Sequence, residues 1–334
     1  MKNYSLIIGI DISKSKLDII GINANSETIL QHQIIDNTKT KINLFLKKII
    51  NKYSIVNVLV TFENTGIYGY LLACSLEKLN MDYCNLSALE IHKSVGIKRG
   101  KSDKKDALVI AQYAITNKYK LKLSVATEKH LTELKLLHTQ REKITKAIRQ
   151  FQNNKETELF LPKKMLSEFL KSNTSILKNL RKNLKLIDAQ ILNIIKTNDV
   201  LKTDYELTQS IPGIGPQTAT YLLIVTKGFT CFENARQLAC YAGVAPFPYQ
   251  SGSSIKGRNK VSHLADKKLK SLLNMCALNA KKHDHQMNTY FENKVKEGKN
   301  KMLILNNIRN KLLHRVFAVI KRQQPYVNIH NFAA

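Results

Sequence analysis

The chain has no tryptophan among its 334 residues, only 6 prolines and 13 glycines, and just 5 cysteines. So little proline and glycine excludes a fibrous or low-complexity chain. The cysteines (Cys74, Cys84, Cys231, Cys240 and Cys276) are odd in number and form no CxxC pair. That argues against a disulfide framework or a structural zinc site and fits a reduced cytosol. No stretch approaches the roughly 20 apolar residues of a membrane span. The short apolar run from Ser5 to Ile10 is cut off by Asp11, so it does not read as a signal peptide. These absences leave a globular, cytoplasmic protein with no membrane partner. Negative charge is also scarce: 25 acidic residues stand against 53 basic ones, a net +28. A field of that size favours a polyanionic partner, and nucleic acid is the expected one.

At 43% hydrophobic residues the chain can build real cores, and its length suggests about two domains at about 150 residues each. The charge spreads over three segments. Residues 1–125 hold 18 basic and 10 acidic side chains, residues 126–205 hold 16 and 9, and residues 206–334 hold 19 and 6. The excess is densest after residue 252, with 17 basic against 4 acidic. Solvated lysine faces would account for any single cluster, though less readily for the whole pattern.

In the first segment, apolar runs at Ser5–Asp11, Leu17–Asn23 and Glu27–Ile35 predict three strands in two hairpins. Helical spacing follows at Ile42–Ile50, then a fourth strand at Val56–Phe62, a helix at Tyr68–Leu79 and a fifth strand at Met81–Leu86. Ser102 is suited to cap a helix from Asp103 to about Asn117. The order predicts a mixed sheet with helices on its faces. Asp11 would end the first strand and Glu63 the fourth, while Asp103 and Asp106, three apart, share a helix face. Open sheets place ligands outside strand ends. Four carboxylates meeting there need a cation, and hard oxygen donors suit Mg²⁺ or Mn²⁺. Two such ions about 4 Å apart can hold both the attacking and the leaving oxygen of a phosphodiester. Singly, each carboxylate has a plainer role: Asp11 as a turn residue, Asp103 as a favourable charge at a helix N-terminus. Asp18, Asp36 and Asp82 read as surface residues.

The second segment reads as two long antiparallel helices, a coiled-coil hairpin. Leu134, Leu137, Ile144, Ile148 and Phe151 mark the first arm, and Leu177, Leu180, Leu184, Ile187, Ile191 and Ile194 the second. A polar turn lies near Gln152–Glu158. Oligomerisation, nucleic-acid contact by its outer lysines and a plain helical arm all remain open.

In the third segment, IPGIG followed by Pro216 resembles a helix-hairpin-helix turn, in which Gly213 and Gly215 would bring amides to a phosphate. A simple helix connection is the alternative. From Tyr241, prolines and aromatics lead into a small, flexible, hydroxyl-rich loop carrying Ser251, Ser253 and Ser254, and Lys256, Arg258 and Lys260 follow at once. It suits either a serine nucleophile steadied by cations or a phosphate-contacting loop without chemistry. Basic helices follow to Gln323, and His283 and His285 around Asp284 read as surface polar residues.

Together, GIDISKSKLDI, the Glu63 of TFENTGIYG and KSDKKDA resemble the DEDD, RuvC-like domain of bacterial transposases of insertion-sequence family one hundred and ten, with which the Piv invertases are grouped. IPGIGPQTA, GVAPFPYQSG and the basic helices ending in NKLLHRVFAVIKRQQPY resemble that family's C-terminal transposase domain. The resemblance covers nearly the whole chain in order. It implies a RuvC-like (RNase H-like) catalytic domain over 1–125, a coiled-coil hairpin over 126–205 and a mainly helical serine transposase domain over 206–334. The fold class is thus α/β plus all-α. Asp11, Glu63, Asp103 and Asp106 match the family's DEDD ligands of Mg²⁺, and Ser251 best matches its nucleophilic serine. The resemblance further implies a covalent serine–DNA phosphate intermediate and a bridge RNA that pairs with target and donor DNA. It also implies a site shared between protomers of a homodimer or homotetramer. The rival expectations are a RuvC-like hydrolytic nuclease and a non-enzymatic nucleic-acid-binding scaffold.

Overall fold

The computed structural model describes residues 2–94, 96, 102–125, 127–153, 159–251 and 255–328. Two compact units divide the chain, residues 1–126 and 127–334.

The first unit is built on a five-stranded sheet. Its strands are β1 (Leu6–Ile12), β2 (Lys16–Ile22), β3 (Thr28–Asp36), β4 (Val58–Glu63) and β5 (Asp82–Leu86), in the order β3-β2-β1-β4-β5. β1 pairs antiparallel with β2 and parallel with β4, which in turn runs parallel to β5. This is the mixed, RNase H-like sheet expected. The crossovers to the parallel strands carry helices α1 (Lys39–Lys52) and α2 (Tyr70–Lys78), as parallel pairing requires. β4 starts two residues later than its pattern predicts, because Ile55–Asn57 form a 3₁₀ turn. The predicted helix at Tyr68 likewise opens as a 3₁₀ turn over Gly66–Gly69.

Alternation along the strands sorts the side chains onto two faces. Leu6, Ile8 and Ile10 of β1, Leu17 and Ile19 of β2, and Val58, Val60 and Phe62 of β4 pack with α1 and α2. The opposite face holds Ile7, Ile22 and Leu59, packed under α4 (Asp103–Thr116) and α3 (Ala88–Ser94). By the same alternation Asp11, Asp18 and Glu63 belong to the α4 face. α4 lies close because Ala107, Ala111 and Ala114 form its buried side and Gly9 meets it from β1.

The second unit is helical apart from one hairpin. α5 (Lys129–Gln152) and α6 (Lys163–Lys196) are the two long arms, with Leu134, Ile148, Ile187 and Ile191 buried. Arg141 Nε donates to Asp188 Oδ1 at 2.6 Å and ties the arms together. α7 (Asp199–Gln209), a tight turn and α8 (Pro216–Thr226) follow, with Pro216 opening α8. α9 (Ala235–Tyr241) leads to β6 (Pro246–Ser251) and β7 (Ile255–Val261). α10 (Lys267–His283), α11 (His285–Lys296) and α12 (Lys301–Arg322) close the unit. One core joins α5 to α12. No helix among the described residues is long and apolar enough to cross a membrane.

One expectation is corrected, the reading of Asp82 as a surface residue, and two features not read from the sequence come with it. The residues on either side of the expected serine loop form strands: β6 and β7 pair antiparallel, with Ser251 opposite Ile255 and Phe247 opposite Lys260, while 252–254 lie outside the described residues. Gly257 makes this possible, since a Cβ there would come within 2.6 Å of the Tyr249 ring. His283 and His285 are exposed as expected, and Asp284 between them is buried. It is 1% exposed, caps α11 by accepting from the Met287 amide at 3.1 Å, and pairs with Arg315. Asp82 is held by Lys2 Nζ at 3.0 Å and the Tyr4 hydroxyl at 2.9 Å.

Candidate functional site

The sheet topology brings the first unit's carboxylates to one place. Asp11 stands near the end of β1 and Glu63 ends β4, next to the parallel pair Ile10–Phe62. α4 starts above them. Ser102 caps it by accepting from the Lys105 amide at 3.3 Å, which fixes Asp103 and Asp106 in the first turn. One oxygen from each of Asp11, Asp103 and Asp106 lies within 4.8 Å of the others. Glu63 falls outside that trio, but its charge reaches Asp11. Burial, then Asp106, Asp103, Glu63 and Asp18 in turn, push the Asp11 carboxyl up to about 6.

A half-buried carboxyl that holds its proton this strongly marks negative charge crowded beyond what the chain neutralises. Three hard oxygen donors at this spacing fit a divalent cation. They can also bind a proton or an ammonium group, and one ammonium is already present. Lys16 Nζ donates to Asp103 Oδ2 at 2.7 Å and lies 3.0 Å from Asp18 Oδ2, and these two partners raise its pKa to about 12.

Asp18 corrects the sequence reading. It is 2% exposed, and His32 Nε2 lies 2.9 Å from its Oδ1. The cause is register: Asp18 is the direct antiparallel partner of Asp11, so both side chains lie on the α4 face. The sequence carried this signal. A tight turn at Ser13–Ser15 in DISKSKLD sets residue 11 opposite residue 18. Lys16, two residues before Asp18 on the same strand face, follows from the same register.

In the second unit the β6–β7 hairpin is fixed at its base. The Asp266 amide donates to the Tyr241 carbonyl at 2.8 Å. Asp266 Oδ2 accepts from the Tyr221 hydroxyl at 2.8 Å and the Tyr241 hydroxyl at 3.3 Å, while Oδ1 caps α10 at Leu269. Beside it, Lys268 Nζ pairs with Glu142 at 2.6 Å, meets His138 Nδ1 at 3.0 Å and sits 4.1 Å from the centre of the Tyr221 ring. Burial first, then the Lys268 charge, push His138 down to about 4. Ser251 closes β6, and Lys256, Arg258 and Lys260 take alternate positions of β7, with Lys260 exposed. Ser253 and Ser254 lie outside the described residues. In the IPGIG turn, Gly213 (φ +95°) backs onto α10, where a Cβ would meet the Cys276 carbonyl at 2.7 Å. Gly215, just before α8, has open space where a side chain would be.

Comparison with known proteins bears on both units. Residues 8–159 match the DEDD transposase model of the IS110 group, and residues 205–292 match the model described as Transposase IS116/IS110/IS902 family. The chain is 30% identical over 326 residues to the pilin gene-inverting protein of Moraxella lacunata, covering 96% of this chain and 97% of that one. The Moraxella bovis protein of the same name matches at 30% over the same shares. An uncharacterized 43.6 kDa protein of insertion element IS110 from Streptomyces coelicolor is 27% identical over 41% of this chain and 33% of its own length. Since the similarity to the Moraxella proteins runs through both units and not one module alone, the chain belongs to the IS110 family of transposases, enzymes of DNA recombination.

Proposed function

We propose that the chain cuts and rejoins DNA through a serine–phosphate intermediate, directed to its sites by a non-coding RNA. The observation that carries the DNA-cutting part is the meeting of Asp11, Asp103 and Asp106 within 4.8 Å on the α4 face. In this reading Asp11, Glu63, Asp103 and Asp106 hold Mg²⁺, for which Mn²⁺ can substitute. A cation bound there would supply the positive charge that a phosphate needs as its oxygens gain charge. Ser251 Oγ forms a bond to phosphorus, one DNA P–O bond breaks, and the hydroxyl proton ends on the leaving DNA oxygen. One phosphodiester becomes one phosphoserine ester, so rejoining requires no ATP. Lys256, Arg258 and Lys260 steady the phosphate, and the amides at Gly213 and Gly215 belong to the nucleic-acid surface.

The net +28, spread over all three segments, supports simultaneous contact with DNA and RNA. Exposed Leu159, Phe160, Leu161 and Met165 at the far end of the coiled-coil hairpin support a homodimer or homotetramer. The protein would act in the cytoplasm.

The test uses DNA carrying the ends of the element that encodes the protein. Wild type with Mg²⁺ should give a protein–DNA adduct that survives a denaturing gel, and Ser251→Ala should not. Asp11→Asn should abolish cleavage while retaining nucleic-acid binding. An adduct in Ser251→Ala refutes the serine assignment, and cleavage by wild type without an adduct refutes covalent chemistry in favour of attack by water. A single defined RNA copurifying with the protein would support guidance, and its absence would count against it.

A further inference from the structure

Arg309 of α12 is 6% exposed, yet no carboxylate pairs with it among the described residues. Its guanidinium donates to two neutral amide oxygens, Asn274 Oδ1 at 2.5 Å and Asn306 Oδ1 at 3.5 Å. Its buried Nε has no partner. Burial lowers its pKa, and no neighbouring negative charge offsets that effect. A second cation shares the place. Lys270 lies one turn before Asn274 on α10, half-buried, and its pKa is lowered by burial and by the Arg309 charge. Its Nζ is 3.8 Å from where a Cβ on Gly243 would stand. Asn306 Nδ2 donates to the Val244 carbonyl at 2.9 Å, fixing the chain as it enters β6.

Buried charges in folded proteins are paired, because an isolated one loses its hydration without return. Here two cations and two side-chain amides converge, and no anion among the described residues joins them. Elsewhere among the described residues of this unit, buried Asp284 has Arg315, half-buried Asp266 has two tyrosine hydroxyls, and buried Asp204 has a hydrogen bond with Gln323. The guanidinium fork and the ammonium suit the tetrahedral oxygens of a phosphate. The place is the foot of the hairpin that carries Lys256, Arg258 and Lys260. We propose that Arg309 and Lys270 bind one backbone phosphate of a nucleic acid at the base of the β6–β7 hairpin. This rests on the nucleic-acid-binding part of the function proposed above, and not on its serine chemistry.

The experiment measures how binding to a short DNA duplex falls with salt, using the full-length protein. Each neutralised duplex phosphate adds about 0.9 to the slope of log K against log salt. Lys270→Gln combined with Arg309→Gln should lower that slope by about 0.9. Ser251→Ala, which bears on the chemistry alone, should leave it unchanged. The same titration with RNA identifies which strand supplies the phosphate, by where the loss appears. Inorganic phosphate should raise the melting temperature of wild type more than chloride at equal ionic strength, and should lose that advantage in the double variant. The proposal fails if the folded double variant keeps its slope with both DNA and RNA, or if phosphate and chloride act alike on wild type. It also fails if Arg309→Met is destabilised with its slope unchanged, the signature of a purely structural arginine. Should the double variant not fold, Lys270→Gln alone decides, since this half-buried residue is the easier to replace: a reduced slope supports the site and an unchanged slope refutes it.

Discussion

Gly9→Ala perturbs the approach of α4 to the sheet, and through it the carboxylates. A Cβ at residue 9 would overlap the Ala107 carbonyl oxygen and come within 2.7 Å of the Ala111 nitrogen and 2.9 Å of its Cβ. Two of these atoms are backbone, so rotation of a side chain cannot relieve the clash. Restoring ordinary contact requires α4 to retreat by roughly 1 Å, an overpacking cost of about 1–3 kcal/mol. Asp106 directly precedes Ala107 on the same helix, so the retreat enters the 4.8 Å grouping with Asp11. A misplacement of about 1 Å can cost on the order of 100-fold in a reaction that depends on geometry. Urea denaturation should show the stability loss, and Mn²⁺ titration by calorimetry should show weakened binding. Gly21→Ala is the control. Its Cβ would meet the Leu30 and Leu6 side chains at 2.8 Å on the face away from α4, so it should destabilise the sheet and leave Mn²⁺ affinity alone. If Gly9→Ala keeps both its urea midpoint and its Mn²⁺ affinity, the contact between α4 and β1 does not set the carboxylate spacing.

Two further outcomes follow from buried charge. Asp18→Asn removes the charge that pairs with Lys16 and His32 inside the first unit, and should cost about 1–3 kcal/mol in urea denaturation with the secondary structure retained. An unchanged midpoint would restore the surface reading of Asp18. His138 folds with its pKa depressed to about 4 from an ordinary 6.5. Its neutral form is therefore favoured in the native state, and the contribution is complete above about pH 6.5 and lost as pH falls through about 4. The full difference is about 3 kcal/mol at 1.36 kcal/mol per pKa unit. Its neighbours Lys268 and Arg141 reinforce the depression, while Glu142 and Asp188 oppose it. The stability gap between wild type and His138→Asn, read by urea denaturation, should therefore shrink from pH 7 to pH 4.5. A gap independent of pH would refute the assignment.

What the sequence made legible is what short-range periodicity encodes. The strands of the first sheet, the two arms α5 and α6 and the Pro216 helix start all follow from spacing within a few turns. So does the pairing of Asp103 with Asp106, since residues three apart on a helix share a face. Asp11 and Glu63 were reachable as strand ends, because parallel strands in an open sheet project their termini to one side. The residues missed depend on register and on distant packing. Asp18 looked like one more polar residue until β1 and β2 were aligned, and a shift of one residue would have turned it to the other face. Asp284 lies between two exposed histidines, and its burial comes from Arg315, 31 residues away on another helix. The hairpin at Pro246–Val261 was hidden by prolines and serines, which read locally as loop. Its pairing depends on Gly257 making room for Tyr249 and on Asp266 closing its base from beyond the second strand. Arg309 is the extreme case. In the sequence it is one of 53 basic residues. Only the fold shows that, among the described residues, it lacks the carboxylate that a buried charge requires. In a chain with so few acids, the informative cations are those the chain itself leaves unpaired. Lys16, Lys268 and Arg315 are bound to carboxylates of their own units, so each contributes little to the field offered outward. The attraction for a polyanion must then come from cations without such partners, and among the described residues Arg309 with Lys270 are two that the fold also confines to a fixed geometry.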